Sequence, residues 1–184
     1  MTDLPPALHD ALVYRSHAAA GCVSQVWYSP CDLYRYGLSR VWDAAKPAIL
    51  FVMLNPSTAD EHRNDPTVAR CETRARVMGF GGVMIANIFA FRATHPRDLK
   101  QADAPVGDHN DAVLAHWTDR AGMVVAAWGV HGGYQGQGAS VARQIGGALH
   151  HLGLTKHGHP RHPLYVSLST QPVAWRIADR YPPD

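Results

Sequence analysis

The chain has 184 residues, 46% of them apolar and 17% charged, with 17 Lys and Arg against 15 Asp and Glu for a formal charge of +2. That length supports one hydrophobic core rather than two, the apolar share excludes extended disorder, and a charge so near neutrality excludes nucleic-acid binding driven by bulk charge alone. The three cysteines include no C-x-x-C pair and cannot build a disulfide framework or a four-cysteine metal centre. With no secretory leader and no apolar run long enough to span a bilayer, the expectation is a single α/β domain over residues 1–184 in the cytoplasm, with no membrane partner.

In chain order, Val23 to Tyr28 and Leu33 to Val41 alternate apolar and polar residues around Ser29-Pro30-Cys31-Asp32, the pattern of an N-terminal β-hairpin lying as a flap on the main sheet. Ala48 to Leu54 is a continuous apolar run that stops at Asn55-Pro56, as a strand buried on both faces does. Asp65-Pro66 is a helix start, with Asp as N-cap and Pro in the first turn. Val68, Cys71, Ala75 and Met78 follow at helical spacing, and Arg70, Arg74 and Arg76 are placed off that stripe. Val83 to Ala86 is a second buried strand ending at Asn87, completing a strand-helix-strand unit.

A long polar loop from Arg92 to Gly107 leads to a helix over about 108–119, and Met123 to Trp128 is a third strand ended by Gly129. The glycine run from Gly132 to Gly138 lacks the Gly-Lys-Ser/Thr of a phosphate-binding loop and reads as a flexible turn before a helix from about Ala139 to Ala148. The fourth strand is either Leu149 to Thr155 or Leu164 to Leu168. Val173, Ile177 and Tyr181 suggest a closing helix.

Three strands thus end in polar residues or glycine at one edge, where an open parallel sheet places its ligand crevice. Asn55 offers an amide on a backbone restricted by Pro56, suited to hold a water or a base edge. Ser57 and Thr58 add hydroxyls, and Asn87 stands on the neighbouring strand. Arg92 and Thr94 are placed to contact phosphate, unless Arg92 pairs with Asp60 or Asp65. Trp128 and Gly129 close the third strand. His150, His151, His157, His159 and His162 have no His-Glu-x-x-His pattern or carboxylate partner, so neither a metal nor another cofactor is expected.

The runs Arg35-Tyr36-x-Leu38-Ser39-Arg40-x-Trp42, Met53 to Asp60, Asp65-Pro66-Thr67, Asn87-Ile88-Phe89-Ala90-x-Arg92-Ala93-Thr94 and His162-Pro163-Leu164-Tyr165 resemble the bacterial and phage family called domain of unknown function 1643. Leu54-Asn55-Pro56-Ser57 after a strand is also similar to the first motif of mismatch-specific uracil-DNA glycosylases. The third strand ending in Trp128-Gly129 and the late His-Pro look like that superfamily as well. This resemblance implies a three-layer α-β-α fold with a mostly parallel four-stranded sheet in the order 2-1-3-4. It implies that Asn55 orients the attacking water and His162 stabilises charge on the leaving base, with Pro56, Ser57, Thr58, Asn87, Arg92, Thr94, Trp128 and Gly129 around the substrate.

Two functions from different classes follow. One is a glycosylase-like hydrolase acting on a nucleobase, nucleotide or modified DNA base, through an oxocarbenium-like state that fixed dipoles stabilise. The other is a non-catalytic nucleotide- or nucleic-acid-binding module of the same fold. It is motivated by Ser57 in place of the superfamily's glycine, and by Leu164 in place of the serine that follows its His-Pro or Asn-Pro. The position of His162 depends on the fourth strand ending before it.

Overall fold

The computed structural model describes residues 4–175. These residues form a mixed α/β fold with five α-helices among them, α1 (Pro6–Ala11), α2 (Pro66–Val77), α3 (Pro96–Lys100), α4 (Asn110–Thr118) and α5 (Gln137–Ile145). One sheet contains β1 (Val13–Ala19), β2 (Cys22–Tyr28), β3 (Arg35–Val41), β4 (Ala48–Met53), β5 (Gly82–Asn87), β6 (Met123–Ala126), β7 (Leu149–His151) and β8 (Val173–Ala174), in the order β1-β2-β3-β5-β4-β6-β7-β8.

The expected sheet of four mostly parallel strands is corrected to eight strands, in which antiparallel pairings outnumber parallel ones. β5-β4, β4-β6 and β6-β7 pair parallel, while β1-β2, β2-β3, β3-β5 and β7-β8 pair antiparallel. The N-terminal hairpin forms but is not a flap: Trp27, Tyr28 and Leu38 are buried, because β3 joins the sheet edge at β5 and carries β2 with it.

The central strands hold the sheet between two apolar layers. Leu50, Val52, Met84, Ala86, Val124 and Ala126 face α4 and α5 through Val113, Leu114, Trp117, Val141 and Ala142. On the other face Ile49, Phe51, Met53, Val83, Ile85 and Val125 meet α2 through Val68, Cys71 and Ala75. Alternation along each strand divides the side chains between the two layers. Each fully buried Leu, Ile or Phe contributes about 1.5–3 kcal/mol before entropy is counted, so the central strands carry much of the burial that stabilises the fold.

Helix α2 begins where its sequence says it should. The Asp65 carboxylate accepts the Val68 N–H at 2.8 Å, with Pro66 in the first turn. Arg74, expected off the apolar stripe, is instead fully buried. Its guanidinium donates to the carbonyls of Val166, Leu168, Ser167 and Thr170, and Arg70 adds a second bond to Val166. The helix therefore holds the segment that follows His162 against itself.

The expected Arg92 to Gly107 loop contains the short α3. The glycine run is a 3-10 segment over Val130–Gly136, and α5 starts at Gln137 rather than Ala139. Of the two alternatives for the fourth strand, the earlier is observed, shortened to β7; Pro163–Tyr165 is a 3-10 turn. Val173 lies in β8, whereas Ile177 and Tyr181 of the expected closing helix lie outside the described residues. Among the described residues no helix is long and apolar enough to cross a membrane.

Candidate functional site

At the carboxyl ends of β4, β5 and β6 the chain opens into a cleft of about 660 Å³, inside the ~300–1,000 Å³ range of small-molecule sites. Parallel pairing sets Met53 beside Asn87, and the backbone continues that pairing past the strand ends, with Ile88 N–H donating to Met53 O and Phe89 N–H to Leu54 O. Asn55 and Asn87 are in this way carried to neighbouring tips of one sheet. Trp128 and Gly129 reach the same cleft from the end of β6.

Asn55 is locked by its own amide. Its Nδ2 donates to the carbonyls of Ala93, at 2.6 Å, and Pro56, at 3.0 Å. Because both partners are acceptors, the amide has only one satisfactory orientation, and its Oδ1 remains as the acceptor it offers to the cleft. The Pro56 carbonyl also accepts the Ala93 N–H, so Pro56 acts through its backbone in a buried position. Asn87 is 2% exposed, and its buried Oδ1 has no hydrogen-bond partner.

His162 arrives from the far end of the chain. Gly129, at φ 72°, receives the Pro160 carbonyl on its N–H, and a Cβ added there would lie 3.7 Å from the Cβ of His162. The loop after β7 is therefore folded over the tip of β6, which puts His162 at the carboxyl edge of the parallel strands. Its Nδ1 accepts the Leu164 N–H at 3.4 Å. The neutral ring must then carry its proton on Nε2, a donor. Burial pushes the imidazole below its ordinary pKa of 6.5, against an opposing pull from Asp65, so the neutral form prevails at pH 7.

Of the residues expected around the substrate, Asn55, Ser57, Asn87, Thr94, Trp128, Gly129 and His162 line this cleft. Pro56, Thr58 and Arg92 do not: Thr58 is exposed, and Arg92 is engaged in an ion pair. Its Nη1 meets the Asp32 carboxylate at 2.9 Å and the Asp32 carbonyl at the same distance, and its guanidinium lies over the Tyr28 ring. The partner is Asp32 rather than Asp60 or Asp65, because the hairpin turn folds back over the end of β5.

Sequence reasoning missed several residues. Arg35, just beyond the bridge between Tyr34 and Phe91, is 2% exposed and lines the cleft. Burial pushes its guanidinium down to about 10. Asp65, assigned only as a helix cap, is the one carboxylate among the lining residues. Tyr165, 82% exposed, stands at the mouth with its ring 5.8 Å from that of His162. All three lie within motifs already singled out, but only the positions of Asp65 and Tyr165 next to expected site residues gave a signal for the cleft. Among the described residues no group of three or more His, Cys, Asp or Glu could hold a metal.

Neither a search of curated proteins nor a search of solved structures gave a match. A family profile described as Protein of unknown function (DUF1643) matches residues 35–164. That match spans well over half of the chain and takes in every cleft residue from Arg35 to Leu164, and the chain belongs to this family.

Proposed function

We propose that the cleft binds a nucleobase or nucleotide and hydrolyses its N-glycosidic bond, in the manner of the uracil-DNA glycosylases that the Asn55 and His162 segments resemble. The observation that carries the reading is the opposite polarity of two fixed groups in one cleft: an acceptor, Asn55 Oδ1, and a donor, the Nε2–H of a neutral His162.

A water hydrogen-bonded to Asn55 Oδ1 has its lone pair free to meet the anomeric carbon. As the new C–O bond forms, the C–N bond breaks and the base leaves with the bonding pair. His162 Nε2–H stabilises that charge by hydrogen bonding while keeping its proton, and Nδ1 stays an acceptor for the Leu164 N–H. Such preorganised donors act in the transition state at little reorganisation cost. Asp65 supplies the one carboxylate in the cleft able to take the proton released by the water; one of its oxygens is held by Val68. An exposed aromatic such as Tyr165 at the mouth suits stacking on a base.

The layout of the sheet supports the same reading. Numbered among themselves, the four parallel strands β5-β4-β6-β7 run 2-1-3-4, with antiparallel strands added at both edges. Incubation with nucleosides, nucleotides and uracil- or modified-base DNA, followed by chromatography of free base, tests the proposal. Release by the wild type and its loss in Asn55→Ala support it. Saturable binding without release selects the non-catalytic module instead.

A further inference from the structure

Among the described residues Arg35 is the buried arginine with the fewest hydrogen-bond acceptors. Its Nη1 donates to Ala59 O at 2.7 Å, and its Nε has no hydrogen-bond partner. Among the described residues no carboxylate lies within 4.0 Å of it. A guanidinium carries five N–H donors, and a buried one left with a single acceptor is costly. Another buried arginine shows the contrast: the Nε of Arg74 is also without a partner, but its two Nη atoms donate to four backbone carbonyls.

What Arg35 does face is the cleft, together with Thr67 and Val68 from the first turn of the 12-residue α2. The Val68 N–H is taken by Asp65, while Thr67, next in from Pro66, has no partner for its N–H among the described residues. That end of a helix carries partial positive charge. Arg161 lines the cleft from its exposed rim. Two arginines against the single carboxylate of Asp65 leave the cleft lining with a net positive charge.

We infer that Arg35 and the first turn of α2 form an oxyanion subsite inside the cleft, built to receive a phosphate or carboxylate carried by the ligand. A planar fork matches either group with paired hydrogen bonds. A ligand whose anion enters the cleft is a small molecule, a nucleoside monophosphate rather than an internal phosphodiester of DNA. The inference specifies the substrate class of the proposed function, but the subsite itself rests on Arg35 and not on base release.

The test is binding by calorimetry and thermal shift at constant ionic strength, with uridine 5′-monophosphate, uridine, inorganic phosphate, acetate and duplex DNA as probes. The expected result is saturable stabilisation of the wild type by phosphate or acetate beyond that of chloride. The monophosphate should bind at least about tenfold more tightly than the nucleoside, as a charge-assisted bond requires. Arg35→Gln should remove that difference and Arg35→Lys should keep part of it.

Equal binding of nucleoside and monophosphate by the wild type, with no anion effect beyond chloride, overturns the subsite even if the Arg35 variants fail to fold. DNA binding that phosphate and monophosphate cannot displace overturns it as well. Anion binding without release of base from any substrate leaves the subsite standing and removes the hydrolytic reading. Base release indifferent to anions does the reverse.

Discussion

The Nδ2 of Asn55 donates to the carbonyl oxygen of Ala93 at 2.6 Å, a bond between the loop after β4 and the loop after β5. It fixes the amide's orientation and ties two strand tips together, so one residue both shapes the cleft and offers it an acceptor. Asn55→Asp replaces that donor with a second acceptor facing two carbonyls. We expect it to destabilise the fold by about 1–3 kcal/mol in denaturant titration, and to abolish ligand binding in the folded fraction. An Asn55→Asp protein as stable as wild type would show that the bond does not hold the loops.

Arg74 is predicted to matter more for stability than any exposed arginine. Arg74→Leu leaves the carbonyls of Ser167, Leu168 and Thr170 without the guanidinium that donates to them, leaves Val166 with Arg70 alone, and loosens the segment after His162 from α2. The expected loss is roughly 3 kcal/mol, with weakened binding in the cleft. Arg63→Ala, at an 84% exposed side chain in a 3.9 Å ion pair with Asp60, should stay within about 0.5 kcal/mol of wild type.

Gly132 packs closely against the Trp128 indole, and a Cβ there would fall 1.9 Å from Trp128 Cδ1. Gly132→Ala must displace the buried indole that lines the cleft. We expect a cost of about 1–3 kcal/mol, a shifted tryptophan emission spectrum and weaker ligand binding. Unchanged emission together with unchanged affinity would contradict this packing.

The pH dependence follows from buried histidines. His162, His151 and His159 all have folded pKa values below 6.5, chiefly through burial. Between the folded values and about 6.5 the unfolded chain binds more protons than the folded one. Stability therefore falls as pH drops below about 6.5, and the loss is complete once the pH is below the folded values. His162→Gln should flatten part of that slope in thermal melts between about pH 7 and 5. Because the neutral ring is the donor, the acid limb of activity should lie below 6.5.

What the sequence made legible was whatever had a local signal. The unbroken apolar run of β4 could only be a doubly covered strand, and Asp65-Pro66 marked α2 to the residue. Strand β1 gave no such signal, because all seven of its residues are exposed at the sheet edge and its formation depends on pairing with β2. Strand β7, Leu149–His151, exists through its register with β6. Arg74 lies three residues after Cys71, on the buried stripe by spacing, but its charge argued for solvent. Asn55 was readable as a strand tip; Arg35 was not readable as a cleft residue, since nothing local announces that the chain after the hairpin turn will bury a guanidinium.

The central claim is that the acceptor on Asn55 and the donor on His162 serve one reaction on a nucleobase-bearing ligand. Quantifying free base released by wild type, Asn55→Ala and His162→Gln from a common panel of nucleosides, nucleotides and modified-base DNA tests it most directly. The account predicts release by the wild type and a fall of about 100-fold or more in each variant. Variants that release base as fast as wild type, or a wild-type protein that neither binds nor cleaves any member of the panel, would contradict it.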